Sequence, residues 1–258
     1  MKIYCYSDEL NDDFEKKDKP LKPLPENYKY YKDNGLSKFL TFIIHNVIAR
    51  PFAFLYVKIR FHHKVVNRKT LKSVKGGGML YINHTLMAGD AFIPNVLDFS
   101  RNNYILTGDR ASSLSIMLPL MRSLGAIPVT AGGTVGLRKT SECVKKRMEE
   151  GALVTVYPEA HVWPYYTKVR DFSPASLKFA IDNSVPCFAV TNCYLKRKFA
   201  KTPKVVTYID GPFYPDETLK KSESARDLKG RVYGAMKSRA ETCSEYSVNL
   251  YVKKEAAE

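Results

Sequence analysis

His84 and Asp90 are separated by five residues in the run Tyr81-Ile82-Asn83-His84-Thr85-Leu86-Met87-Ala88-Gly89-Asp90. An imidazole ionises near neutral pH, which suits it to taking a proton from a hydroxyl and returning it. A carboxylate on its other ring nitrogen fixes the tautomer and stabilises the imidazolium. The two residues are therefore a candidate catalytic pair. They also have a structural reading: Asp90 fits an N-cap with Pro94 in the first turn, and His84 closes a strand. Spacing alone leaves both readings open. Asn83-His84-Thr85 is in addition a formal glycosylation sequon. It is discounted because residues 1–26 are polar, hold seven acids and five bases, and show no secretory signal.

A second place for chemistry is the turn Gly132-Gly133 before Thr134–Thr140. A glycine-rich turn opening a helix aims backbone N–H groups at whatever lies there, and the dipole favours an anion. Arg138 and Lys139 would add charge. The spacing of a P-loop is absent, and a plain strand-to-helix connection fits equally.

These residues need a scaffold. From about residue 58, short apolar runs alternate with helical segments. Strands are expected at 59–66, 79–82, 104–106, 126–129, 153–157, 185–191 and 205–209. Helices are expected at about 91–99, 113–123, 134–150, 174–183 and 216–242. The pattern predicts an α/β fold, a mixed and mostly parallel sheet flanked by helices. Three units are expected: a polar tail over 1–35, a membrane-associating helical pair over 36–57, and an α/β domain over 58–258.

Composition narrows the partners. The 258 residues carry a net charge of +15. Residues 27–75 hold eleven Lys/Arg against one acid, Asp33, a footprint for an anionic surface or polymer. Within that block, residues 36–61 are the most apolar of the chain yet contain Arg50-Pro51. A charge and a helix breaker mid-span disfavour crossing a bilayer. Two short interfacial helices on an anionic membrane surface are expected instead, with Phe42, Ile43, Phe52, Phe54, Leu55 and Tyr56 dipped inward. An ordinary helical hairpin on a soluble core is the alternative. No nucleic-acid module is recognisable, so nucleic acid is set aside as a partner. Five scattered cysteines without CxxC spacing argue against a disulfide framework or a zinc site, and for a reducing compartment. No metal is expected.

Four blocks in order change the weight of the first pair. Asn83-His84 to Asp90 is followed by Leu124-Gly125-Ala126-Ile127-Pro128-Val129, then Val156-Tyr157-Pro158-Glu159-Ala160, then Val185-Pro186-Cys187-Phe188-Ala189-Val190. Over about residues 58–213 the chain resembles the 1-acylglycerol-3-phosphate acyltransferase family, and Asp210-Gly211-Pro212 matches a late strand end of that family. The resemblance implies an O-acyltransferase with His84 and Asp90 as catalytic residues and Glu159 at the substrate. An acyl group would pass from an acyl thioester, on coenzyme A or acyl carrier protein, to a lysophospholipid hydroxyl, with no cofactor. The most concrete form is 1-acylglycerol-3-phosphate to phosphatidic acid in phospholipid biosynthesis, on the cytoplasmic face of a membrane by a monotopic or peripheral enzyme. Three departures stand out. His84 and Asp90 are five residues apart instead of four, with Gly89 expected to absorb the extra one. Thr130 replaces an arginine of the second block. Ala160-His161-Val162 replaces Gly-Thr-Arg in the third. Arg138, Lys139, Lys168 and Arg170 are the expected substitutes for holding the acceptor's phosphate. A different acceptor, a catalytically silent lipid-binding protein, or a hydrolase-like enzyme are the other readings; the absence of G-x-S-x-G counts against the last.

Overall fold

The computed structural model describes residues 1–14, 28–30, 34–108, 118–129 and 133–254. Seven strands form the main sheet: β2 (Lys64–Val66), β3 (Gly78–Ile82), β4 (Asn103–Thr107), β5 (Ala126–Pro128), β6 (Leu153–Val156), β7 (Cys187–Arg197) and β8 (Ala200–Phe213). Their order is β2-β8-β7-β3-β6-β4-β5. Every neighbouring pair is parallel except the β7–β8 hairpin. The expected mixed, mostly parallel sheet is therefore present. β3 is central and buried along its whole length.

Alternation along β3 divides the core. Met79 and Tyr81 face one side, against Val144 and Met148 of α5 (Gly133–Glu149) and Leu228, Val232, Met236 and Ala240 of α7 (Lys221–Cys243). Leu80 and Ile82 face the other, against α1 (Gly35–Phe61) and α3 (Ala88–Leu97). Two short helices, α2 (Lys69–Lys72) and α4 (Leu118–Ser123), lie between these, and α6 (Lys178–Asn183) follows a 3₁₀ turn, Pro174–Leu177. The helix expected at 113–123 begins outside the described residues, and Thr130 and Gly132 also lie outside them.

Three expectations change. The helical pair is one helical run of 27 residues, long and apolar enough by length and composition to cross a membrane. It passes Pro51 by widening to π-helical turns over Ile43–Ala49, so that the Arg50 N–H reaches back to the His45 carbonyl. Arg50 is not exposed to lipid: its guanidinium is buried and donates to the carbonyls of Phe99, Asp98 and Arg101. The strand expected at 59–66 shrinks to β2, because α1 runs through Phe61 and ends on His62 at φ 46°. The polar tail begins with a strand, β1 (Lys2–Tyr6), which pairs in parallel with β9 (Asn249–Lys253). That ribbon carries Tyr6 and Tyr251 onto Trp163, with Tyr4 stacked on Tyr251 and Phe14 beside them.

Helix α1 is apolar on two opposite faces. Ala53, Val57 and Phe61 are buried on the domain, whereas Ile48, Phe52, Leu55 and Ile59 are exposed. At 100° per residue these two sets point in opposite directions.

Candidate active site

The carboxyl ends of the parallel strands share one edge of the sheet, the usual place for ligands in such folds. β3 delivers Asn83 and His84 there, and β6 delivers Tyr157 and Glu159 beside them. A cavity of about 820 Å³ lies at the opposite edge, among residues that precede β4 and β6, including Arg50, Phe99, Arg101 and Gly151. It belongs to the wrong end of the strands for His84.

Asn83 anchors the strand end. Its amide donates to the Asn192 carbonyl of β7, and its oxygen accepts from the Asn192 N–H at 2.8 Å. The chain then turns through Met87, at φ 43° and ψ −108°, into α3. The positive φ of this turn is thus at Met87, not at Gly89. Gly89 has ordinary helical backbone, and its missing Cβ lets α3 close on Leu86 and Phe61. Asp90 is also not the N-cap. It is the third residue of α3 and reaches back to accept from the Leu86 N–H at 2.9 Å.

The same oxygen, Oδ2, lies 2.8 Å from His84 Nδ1. An ionised carboxylate only accepts, so Nδ1 carries the hydrogen and Nε2 keeps its lone pair. The His84 side chain is 20% exposed and that of Asp90 is 3%. The ring stacks on Tyr157 at 4.3 Å between centroids and 25° between planes.

Tyr157 has a second role that follows from Pro94. The proline sits inside α3, not in its first turn, and lacks the N–H that would bond the carbonyl four residues back. That carbonyl belongs to Asp90, and the Tyr157 hydroxyl donates to it instead. Burial, reinforced by the charge of Asp90, pushes the phenol well above its ordinary pKa, so the hydroxyl remains a donor. Tyr157 is not marked out by residue type or spacing. The signal was a proline four residues after Asp90, which orphans one carbonyl.

The residues expected at the substrate divide. Glu159 is buried: it accepts from the His84 N–H at 2.9 Å and from the Arg170 N–H at 2.8 Å. Burial pushes its carboxyl up, against the pull of Arg170 and of those two N–H groups. Arg170 is buried too, 3.5 Å from Glu159, and donates to the carbonyls of Glu9, Glu159 and His161. Both side chains therefore point into protein and find their partners there. Lys168 is exposed on the same loop. That loop is bonded to the first block through Trp163 N–H to the His84 carbonyl and Tyr165 N–H to the Thr85 carbonyl.

Arg138 is exposed, 3.5 Å from Glu142 on α5. The strand leading to α5 is three positions from β3 in the sheet, about 14 Å. Arg138 and Lys139 lie more than a turn further along α5, which takes them away from His84. In the third block, Ala160 takes φ 63°, His161 Nδ1 lies 3.3 Å from Asp13, and Val162 is buried. Among the described residues no cluster of three or more His, Cys, Asp or Glu is placed to hold a metal.

A family model described as acyltransferase matches residues 58–192, just over half of the chain. In fold, the chain is similar to the crystal structure of the 1-acyl-sn-glycerophosphate (LPA) acyltransferase PlsC from Thermotoga maritima. The TM-score is 0.53 at 18% sequence identity, over 80% of this chain and 86% of that one. No curated protein matches it in sequence.

Proposed function

The chain belongs to the acyltransferase family, and on that premise we propose that it moves a fatty acyl group from an acyl thioester to the hydroxyl of a lysophospholipid at a membrane surface. The observation that carries the proposal is the Nδ1–Oδ2 contact of 2.8 Å, which leaves Nε2 of a partly exposed histidine free to accept a proton. The acceptor's O–H proton passes to Nε2 as its oxygen attacks the thioester carbonyl. Asp90 stabilises the imidazolium that forms. Collapse of the tetrahedral intermediate breaks the C–S bond, and the departing thiolate takes the proton back from Nε2. No protein nucleophile is needed, since the acceptor hydroxyl fills that role.

The acceptor is proposed to be 1-acylglycerol-3-phosphate, in keeping with the activity for which the structural relative is named. Lys168 is the proposed contact for its phosphate, because it shares the loop bonded to His84 whereas Arg138 lies strands away. Lys168→Ala is expected to raise KM for a phosphorylated acceptor more than for a neutral one. An equal change for both acceptors, or the same selective loss in Arg138→Ala alone, assigns the phosphate elsewhere.

The outward face of α1 is proposed to lie in the interface of the membrane's cytoplasmic leaflet, with Ile48, Phe52, Leu55 and Ile59 among the acyl chains. Removing residues 1–57 would test this poorly, since residues 9 and 12 bond the Glu159 loop through Arg170 and Trp163. Ile48→Ser with Leu55→Ser keeps that loop and should move the protein from vesicles to solution.

The decisive experiment is acyl transfer by the purified full chain with acyl-CoA or acyl carrier protein donors and a panel of lysolipids. Wild-type turnover in His84→Ala would sink the catalytic assignment. No transfer by the wild-type chain would favour a silent lipid-binding protein.

A further inference from the structure

β7 is much longer than its neighbour. It pairs with β3 as far as Ile82–Val190 and then continues to Arg197, seven residues or roughly 20 Å past the sheet edge that carries His84. There it turns through Lys198-Phe199 into β8, with Arg197 paired to Ala200. The tip, residues 196–204, contains Lys196, Arg197, Lys198, Lys201 and Lys204 and no acid. Phe199 at its apex is 90% exposed.

The projection is tied to the end of α1. The Arg197 guanidinium lies 2.9 Å from the His62 ring and donates to the Arg60 carbonyl, while Arg60 donates to the Thr202 hydroxyl. The exposed side chains of Leu55 and Ile59 belong to the same end of that helix. A solvated charged hairpin would explain the lysines alone. It does not explain a phenylalanine left 90% exposed at the apex, with the Lys198 ammonium 5.4 Å from its ring centre.

We propose that the β7–β8 tip is a second membrane contact that inserts Phe199 and reads anionic lipid, on the side of the molecule where His84 opens. The partner's chemistry follows from the tip: cations around one aromatic side chain match a negatively charged interface over a hydrocarbon layer. Nucleic acid would be met by the cations but gives Phe199 no reason to be shared with an apolar helix face. The inference rests on the reading that the chain works at a bilayer, and goes beyond the helix by assigning lipid-charge selectivity to a different element. It explains how the acceptor's anionic surface is brought to His84.

The test uses the full chain and vesicles of phosphatidylcholine, alone or mixed with phosphatidylglycerol. The triple variant Lys196→Gln, Lys198→Gln, Lys201→Gln changes exposed side chains and leaves the Arg60, His62 and Arg197 bonds in place. Each cation near an anionic leaflet is worth about fivefold in partitioning, so the triple variant should lose roughly 10²-fold on mixed vesicles and little on neutral ones. Undiminished binding to mixed vesicles overturns the proposal. Phe199→Trp adds a reporter to a chain whose one tryptophan, Trp163, is buried. The introduced indole should shift to the blue and be quenched by brominated lipid; an indole still quenched by acrylamide on vesicles overturns insertion. The Ile48→Ser, Leu55→Ser variant separates the two elements. If it binds vesicles like wild type while the triple variant does not, the helix reading fails and the tip stands. The reverse result removes the tip.

Discussion

Two buried carboxylates lie past the carboxyl ends of adjacent strands, Asp90 in the first turn of α3 after β3 and Glu159 in the loop after β6. Each is beside a cation-forming partner, and their surroundings differ in kind. Glu159 is saturated: two backbone N–H groups and the Arg170 guanidinium occupy it, and both side chains are at most 1% exposed. Asp90 gives one oxygen to Leu86 N–H and His84, its other oxygen is without a partner among the described residues, and its histidine opens to solvent. A pair that holds a loop is buried at both ends. The pair proposed to move protons leaves one nitrogen free. The pairs are also linked, since Glu159 fixes the backbone of His84 itself.

The sharpest way to break the comparison is to remove the open pair. His84→Ala is expected to lower acyl transfer by about 10²–10⁴-fold with the fold intact, read as kcat beside an unchanged urea midpoint. Asp90→Asn should lose activity severely as well, because an amide offers no charge to the imidazolium. It should also lose some stability, since the amide nitrogen becomes a buried donor where Oδ1 has no partner. Full activity in Asp90→Asn would reduce Asp90 to a helix-end residue.

The closed pair should respond in the opposite sense. Arg170→Ala leaves a buried carboxylate uncompensated, and breaking such pairs costs about 3–5 kcal/mol. The expected result is a large fall in denaturation midpoint with near-normal turnover per folded molecule. A stable Arg170→Ala protein with a raised KM for the phosphorylated acceptor would restore Arg170 to the substrate.

This contrast marks what was readable in the sequence. Alternating apolar runs placed β3, β4, β6 and β7, because buried strands advertise themselves by local composition. The candidacy of His84 and Asp90 was legible from types and spacing, and its weight came from the four ordered blocks. The fates of Glu159 and Arg170 were not, because burial depends on residues 9–14 arriving from the far end of the chain and on β9 pairing with β1. Residue types name an acid and a base, but only packing says which is satisfied. The helix start eludes the sequence for a local reason: Met87 takes a positive φ of 43° with ψ −108°, which no glycine or asparagine announces.

His63 sharpens the comparison with a histidine that has no carboxylate. Its Nε2 lies 2.8 Å from the Thr207 hydroxyl, which donates to Asn192, whose backbone holds Asn83. The hydroxyl hydrogen is spent on Asn192, so His63 Nε2 must donate. Burial, then Lys58 and Arg68, push its pKa down to about 4. The unfolded chain binds this proton from about pH 6.5 downward while the folded chain resists until about 4. Stability is therefore full above pH 6.5 and falls across that window, by at most about 3 kcal/mol from this group. Urea midpoints from pH 7 to 4.5 should fall less steeply in His63→Asn than in wild type. Parallel slopes would remove His63 as the titrating group.

The smallest expected effect lies between the two pairs. Tyr157 stacks on His84, and its hydroxyl donates to the carbonyl that Pro94 leaves without an intrahelical partner. Tyr157→Phe keeps the stacked ring and removes only that donor. Leaving a buried carbonyl unpaired costs about 1–3 kcal/mol, so a loss in that range is expected, with activity falling modestly as Asp90 loosens. Pro94→Ala provides an independent check. Its new N–H can bond the Asp90 carbonyl within α3, so in that background the phenylalanine substitution should cost much less. A double-mutant cycle on urea midpoints measures this coupling directly. Equal cost of Tyr157→Phe in both backgrounds would mean that the hydroxyl does not replace the missing helix bond, and that Tyr157 supports His84 by stacking alone.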